Sequence, residues 1–130
     1  MGRGAGVDRA LMTAGGLFRM AYGLGAILAP DAMSLRLAPD IRNHPAGRMN
    51  LRGFGGVQTA LGGFTIWAAG DPRHARPALG LNLAADVLDS VVSAMEWRDR
   101  GRADRVVVGG VLLNVAGVAT WAAALRGLPE

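Results

Sequence analysis

Four long apolar stretches dominate the chain. The first runs from 7 to 29 and carries one charge beyond its first turn, Arg19. The second, 51 to 69, is uncharged after Arg52, and the third, 77 to 95, holds Asp86 and Asp89. The fourth, 106 to 125, has no charge at all. A helix rises about 1.5 Å per residue, so roughly 20 residues cross a hydrocarbon core of about 30 Å. The fourth stretch meets that length outright and the second nearly so. Only Asn114 and Thr120 interrupt the apolar surface of the fourth, which therefore lacks a polar face. A helix of a soluble bundle shows such a face, and 130 residues cannot fully bury a helix that lacks one. No alternation of period 2 is sustained, so strands are not expected. The pattern predicts an all-α fold: an integral membrane four-helix bundle, one transmembrane domain over residues 1–130. Arg19 interrupts the first stretch and no small-residue cleavage site precedes a soluble remainder, so this stretch reads as a retained helix rather than a signal peptide.

The connections carry most of the charge. Pro30 and Asp31 open a short helix predicted over 30–38, lying in the membrane interface between spans one and two. Gly70 to Arg76 reads as a tight turn, and Glu96 to Arg105 as a densely charged loop. Eight arginines fall in the connections after the first and third spans, including Arg52 at the start of span two, and five on the other side. By the positive-inside rule loops 30–50 and 96–105 face the cytoplasm and both termini lie outside.

Composition agrees with the membrane reading. Half the chain (51%) is apolar and only 18% charged, against about 25% in soluble domains. All 14 basic residues are Arg, and with 20 Gly this points to a GC-rich bacterial genome and a bacterial inner membrane. The absence of Cys excludes disulfides and thiolate-held metals. The net charge of +4 sits largely in the connections, where it reads as a topology signal and as contact with anionic lipids, not as a nucleic-acid surface. Small residues recur at spacing four, Ala21-Gly25-Ala29 and Gly55-Thr59-Gly63. Such stripes let helix backbones approach closely, either within one bundle or across a homodimer or larger membrane complex.

The candidate chemistry is a polar layer at mid-depth. Asn82, Asp86, Asp89 and Ser93 form one stripe on the third helix. Spans one and three run in the same direction, which sets Arg19 level with Asp86 and Tyr22 level with Asp89. Gln58, Thr59 and Asn114 lie near the centres of the other two spans. The candidate ligand-binding residues are therefore Arg19, Tyr22, Gln58, Thr59, Asn82, Asp86, Asp89 and Asn114. A charge at this depth costs about 2.5–3.5 kcal/mol unless paired, so Arg19 and Asp86 are expected to pair. Asp89 is then left to bond Tyr22, to meet Arg52, or to hold a proton.

No cofactor is expected. Asn82, Asp86 and Asp89 make only one acidic motif, where membrane prenyltransferases carry two for Mg²⁺-diphosphate. His44 and His74 fall beside prolines in connections, without metal-pair spacing. The glycine pairs follow no strand and the chain has no Lys, so they are not phosphate loops.

Phe18-Arg19-x3-Gly23-Leu24-Gly25 leading to Pro30, then Asn50-Leu51-Arg52-Gly53-x2-Gly56, and a third helix with Asp86 and Asp89, resemble a family of small four-helix bacterial membrane proteins of unknown function. The resemblance covers Phe18 to Arg126. It implies a four-span bundle and no activity. Two function classes remain from the residues. One is an accessory subunit, or a binder of a lipid or hydrophobic metabolite. The other is a very small membrane enzyme, an isomerase or cyclase of an isoprenoid-like substrate with Asp89 or Asp86 as its acid. A proton-coupled transporter is a third option and would need oligomerisation.

Overall fold

The computed structural model describes residues 3–37 and 44–128. These form five helices and no strand: α1 (Arg3–Leu28), α2 (Pro30–Leu37), α3 (Pro45–Ala68), α4 (Pro72–Arg100) and α5 (Arg105–Gly127). The short helix expected after Pro30 is α2. Ala38, Pro39 and Arg42 lie outside the described residues.

The helix ends follow local chemistry. His44 Nδ1 accepts the Gly47 amide at 3.2 Å, and Pro45 occupies the first turn of α3, where its missing N–H costs nothing. Asp71 caps α4 by accepting from the Arg73 amide at 2.9 Å, with Pro72 next to it. Gly101 ends α4 in the left-handed region (φ 62°), which glycine enters without a Cβ penalty. Asp104 caps α5 through the Val106 and Val107 amides. The Val107 amide above all, with Arg100 beside it, holds the Asp104 carboxyl below the usual carboxylate range.

Two connections are shorter than the sequence pattern implied. The turn before α4 is confined to residues 69–71, because Asp71-Pro72 already starts the helix and takes Arg73, His74 and Arg76 into it. Likewise α4 continues to Arg100, so only residues 101–104 of the expected loop are non-helical. Arg100 holds that corner by pairing with Glu96 one turn back and with Asp104 at 2.9 Å.

Three helical segments are long and apolar enough to cross a membrane: Arg9–Leu28 of α1, α4 and α5. The second predicted span, in α3, does not join them, since its glycines, Arg52 and Gln58 dilute its hydropathy. Burial differs from that of a water-soluble protein. The interior holds Met12, Leu79, Val107 and Trp121 with small apolar residues such as Ala26, Ala68 and Ala78, but also Arg19, Gln58, Thr65, Asn82, Asp86 and Asn114. Large apolar side chains such as Leu17, Leu88, Val91, Leu112 and Val115 point outward. A soluble monomer rarely exposes so much contiguous apolar surface, whereas lipid tails solvate it readily.

The helices pack as two pairs, α1 with α3 and α4 with α5, and the pairs touch each other less. In the first pair the backbones nearly meet. A Cβ on Gly23 would lie 2.5 Å from the Gly55 carbonyl oxygen, and one on Gly62 would lie 2.5 Å from that of Gly16. This seam repeats every seven residues. Of the two stripes read at spacing four, Gly55 and Thr59 take part, while Ala21 and Ala29 are exposed and Gly25 faces Met33 of α2.

The chain should partition into the membrane fraction and require detergent or lipid for extraction. Monodisperse protein recovered from the aqueous fraction without detergent would contradict this fold.

Candidate functional site

The site begins with one buried ion pair between the two helix pairs. Arg19, two-thirds of the way along α1, lies between Gly16 and Gly23 of the seam and reaches both α3 and α4. Its Nη2 donates to Asp86 Oδ1, its Nη1 to Gln58 Oε1 on α3, and Nη2 also approaches the Asn82 carbonyl oxygen at 3.5 Å. The second Asp86 oxygen accepts from Trp121 Nε1 at 2.7 Å, so α5 joins the same cluster. The guanidinium carbon lies 5.8 Å from the Trp121 ring centroid, within the range of a cation–π contact. Both charged side chains are 8% exposed, so each depends on the other and on these hydrogen bonds for compensation.

Two glycines make the room. A Cβ on Gly117 would stand 2.1 Å from Asp86 Oδ2, and one on Gly15 would stand 2.2 Å from the Trp121 ring. Gly117 thus lets the carboxylate lie against α5, and Gly15 lets the indole lie against α1.

Beside the cluster a cavity of about 410 Å³ opens between the pairs. Its wall includes Phe18, Arg19 and Tyr22 of α1, and Phe54 and Gln58 of α3. Asp86, Asp89, Val92 and Ser93 come from α4; Leu113, Asn114, Gly117 and Trp121 come from α5. Tyr22 and Phe54 meet edge to face with centroids 6.0 Å apart. Asn114 Nδ2 donates to Ser93 Oγ at 3.3 Å, closing the α4–α5 side. Asp89 is half-buried and, among the described residues, makes no hydrogen bond and no ion pair. Arg52 does not reach it, because its Nε donates to the Ile27 carbonyl oxygen at the end of α1 (3.2 Å).

Of the eight residues singled out from the sequence, the structure brings Arg19, Tyr22, Gln58, Asp86, Asp89 and Asn114 to this one cavity. Thr59 and Asn82 are not in its wall. Thr59 lies in the glycine seam against Gly23, its hydroxyl turned back to the Gly55 carbonyl. Asn82 sits fully buried one turn below Asp86, donating to Thr65 Oγ1 at 2.6 Å and to the Ala78 carbonyl at 2.8 Å. Sequence reasoning missed Trp121 and the rings of Phe18 and Phe54. Trp121 had a signal, since it follows Asn114 by seven residues and so shares its helix face.

The arrangement separates the roles of the two carboxylates. Both oxygens of Asp86 are occupied, whereas Asp89 alone is open to an incoming group. Among the described residues no three His, Cys, Asp or Glu side chains gather to hold a metal ion. His44 serves as a helix cap, and His74 packs on Trp67 with ring centroids 4.4 Å apart. Compared with known protein families, curated proteins and solved structures, the chain matches none.

Gly117→Ala should destabilise the protein by about 1–3 kcal/mol, since the added methyl group overpacks the carboxylate. Gly53→Ala, whose Cβ meets nothing within 4 Å, should instead stabilise α3 by up to about 1 kcal/mol. Thermal unfolding in detergent compares them; equal effects would show that the α4–α5 contact at Asp86 is not tight.

Proposed function

We propose that α1, α3, α4 and α5 all cross the bacterial inner membrane, and that the bundle binds a small hydrophobic molecule with a polar end in the cavity between its helix pairs. Support for a fourth span comes from the seam. Two turns of α3 lie backbone to backbone on α1, so α3 shares the depth of a helix that is apolar enough to cross. The same seam packs Gly16, Gly23, Gly55 and Gly62 against one another inside the chain, which favours packing within one bundle over a homodimer.

The observation that carries the binding reading is the cavity itself. Its volume falls in the range of small-molecule sites, about 300–1,000 Å³. Its wall is mostly apolar, with a few convergent polar groups at one level, the composition of sites that orient a ligand by one end. An accessory subunit whose polar layer served only to join helices would close this layer on itself, whereas Asp89 stands open to the cavity. The isomerase or cyclase alternative is weaker. It would rest on Asp89 alone, because Asp86 is held by Arg19 and Trp121.

Native mass spectrometry of the gently solubilised full-length protein tests this. Wild type should retain a small organic molecule, and Ala116→Trp, which adds an indole at a position of α5 that also lines the cavity, should release it. Identical adducts on both proteins, or none on wild type, would overturn the reading.

A further inference from the structure

Resting on the cavity as a binding site, we propose that its ligand is a hydrophobic organic cation whose charge sits against Asp89.

The argument is a charge inventory of the wall. α1 contributes Arg19 and Tyr22, α3 contributes the neutral Gln58, α4 contributes Asp86 and Asp89, and α5 contributes no charged side chain. Arg19 and Asp86 cancel each other at contact distance. Arg52, the next cation along α3, is exposed and committed to the end of α1. One negative charge therefore stands unmatched in a cavity surrounded by apolar side chains. An unmatched carboxylate at membrane depth is costly, and marks a place where a partner of opposite charge gains the most.

The rest of the wall decides what kind of cation fits. A hydrated metal ion needs several oxygen ligands. Among the described residues no three His, Cys, Asp or Glu side chains gather here, Asp86 is already paired with Arg19, and much of the wall is apolar, Phe18, Val92 and Leu113 included. The same surface favours a ligand that is itself apolar. Tyr22 and Phe54 add two aromatic rings to the wall, a residue type whose π-system attracts a cation rather than an anion. Outside the Arg19–Asp86 pair, the ionisable groups that the cavity wall offers to a ligand are Asp89 and the Tyr22 hydroxyl. A neutral ligand would leave the carboxylate charge unmatched, and an anion would meet it directly.

The test uses three aryl probes on the full-length protein in detergent: two ions of nearly the same shape and opposite charge, tetraphenylphosphonium and tetraphenylborate, and the smaller neutral triphenylmethanol. Binding is read from Trp121 fluorescence in a Trp67→Phe, Trp97→Phe background. The expected result is saturable binding of the phosphonium at least about tenfold tighter than the alcohol, no binding of the borate, and about a tenfold loss for the phosphonium in Asp89→Asn. Asp89→Glu should keep the preference. If Asp89→Asn fails to fold, the phosphonium-over-borate discrimination by the protein with Asp89 intact, together with Asp89→Glu, decides the matter. Equal binding of the alcohol and the phosphonium would show that Asp89 is neutralised by a proton; this overturns the inference and leaves the cavity as a binding site. Phosphonium binding that survives Asp89→Asn overturns it as well. Binding of none of the three probes overturns the inference and removes the binding reading with it.

Discussion

The structure depends on a single buried contact between charges, Arg19 with Asp86. The two helix pairs, α1–α3 and α4–α5, share little backbone contact, and this ion pair spans the space between them. An isolated charge at such depth is expensive, and the cost falls only when the partner is in place and the remaining polar atoms are bonded. Gln58 and Trp121 supply those bonds, one from each pair, so all four long helices converge on one guanidinium–carboxylate contact. Hydrocarbon outside the bundle offers no competing solvation. The same environment that penalises the charges therefore holds them together.

Around this contact the chain uses two kinds of close approach. In the α1–α3 pair, glycines bring backbone to backbone over two turns and leave no space between the helices. In the α4–α5 pair, Gly117 brings backbone to a side chain, the Asp86 carboxylate. Because Arg19 is drawn across to Asp86 while the pairs remain apart at backbone level, space is left on one side of the bridge. That space is the cavity. Its polar end follows from the periodicity of α4, which places Asp89 one turn above Asp86 on the same face, where among the described residues no arginine pairs with it.

Much of this was legible in the sequence. Charge-poor runs of near-membrane length gave the long helices, and the shared direction of spans one and three set Arg19 opposite Asp86 before any coordinates. What sequence reasoning missed depends on helix rotation and on exact ends. Thr59 and Gln58 are adjacent in sequence, yet one faces the glycine seam and the other the arginine. Asn82 and Asp86 share a stripe, but they meet different neighbours, because α3 lies against α4 at Asn82 and gives way to the cavity above it. The charged residues after Gly70 and Glu96 looked like loops because charge is common there. Asp71-Pro72 at one end and Gly101 at the other set the true limits of α4. Trp121 looked like one more apolar residue in a uniformly apolar helix, and only its approach to Asp86 shows the work of its N–H.

A double-mutant cycle on Arg19 and Asp86, read from unfolding in mixed detergent micelles, tests the central claim most directly. The account predicts that Asp86→Ala alone costs about 3–5 kcal/mol, because it strands the buried guanidinium, and that adding Arg19→Ala recovers a large part of that loss. Strictly additive losses in the double variant would mean that the two charges do not depend on each other, and would contradict the account.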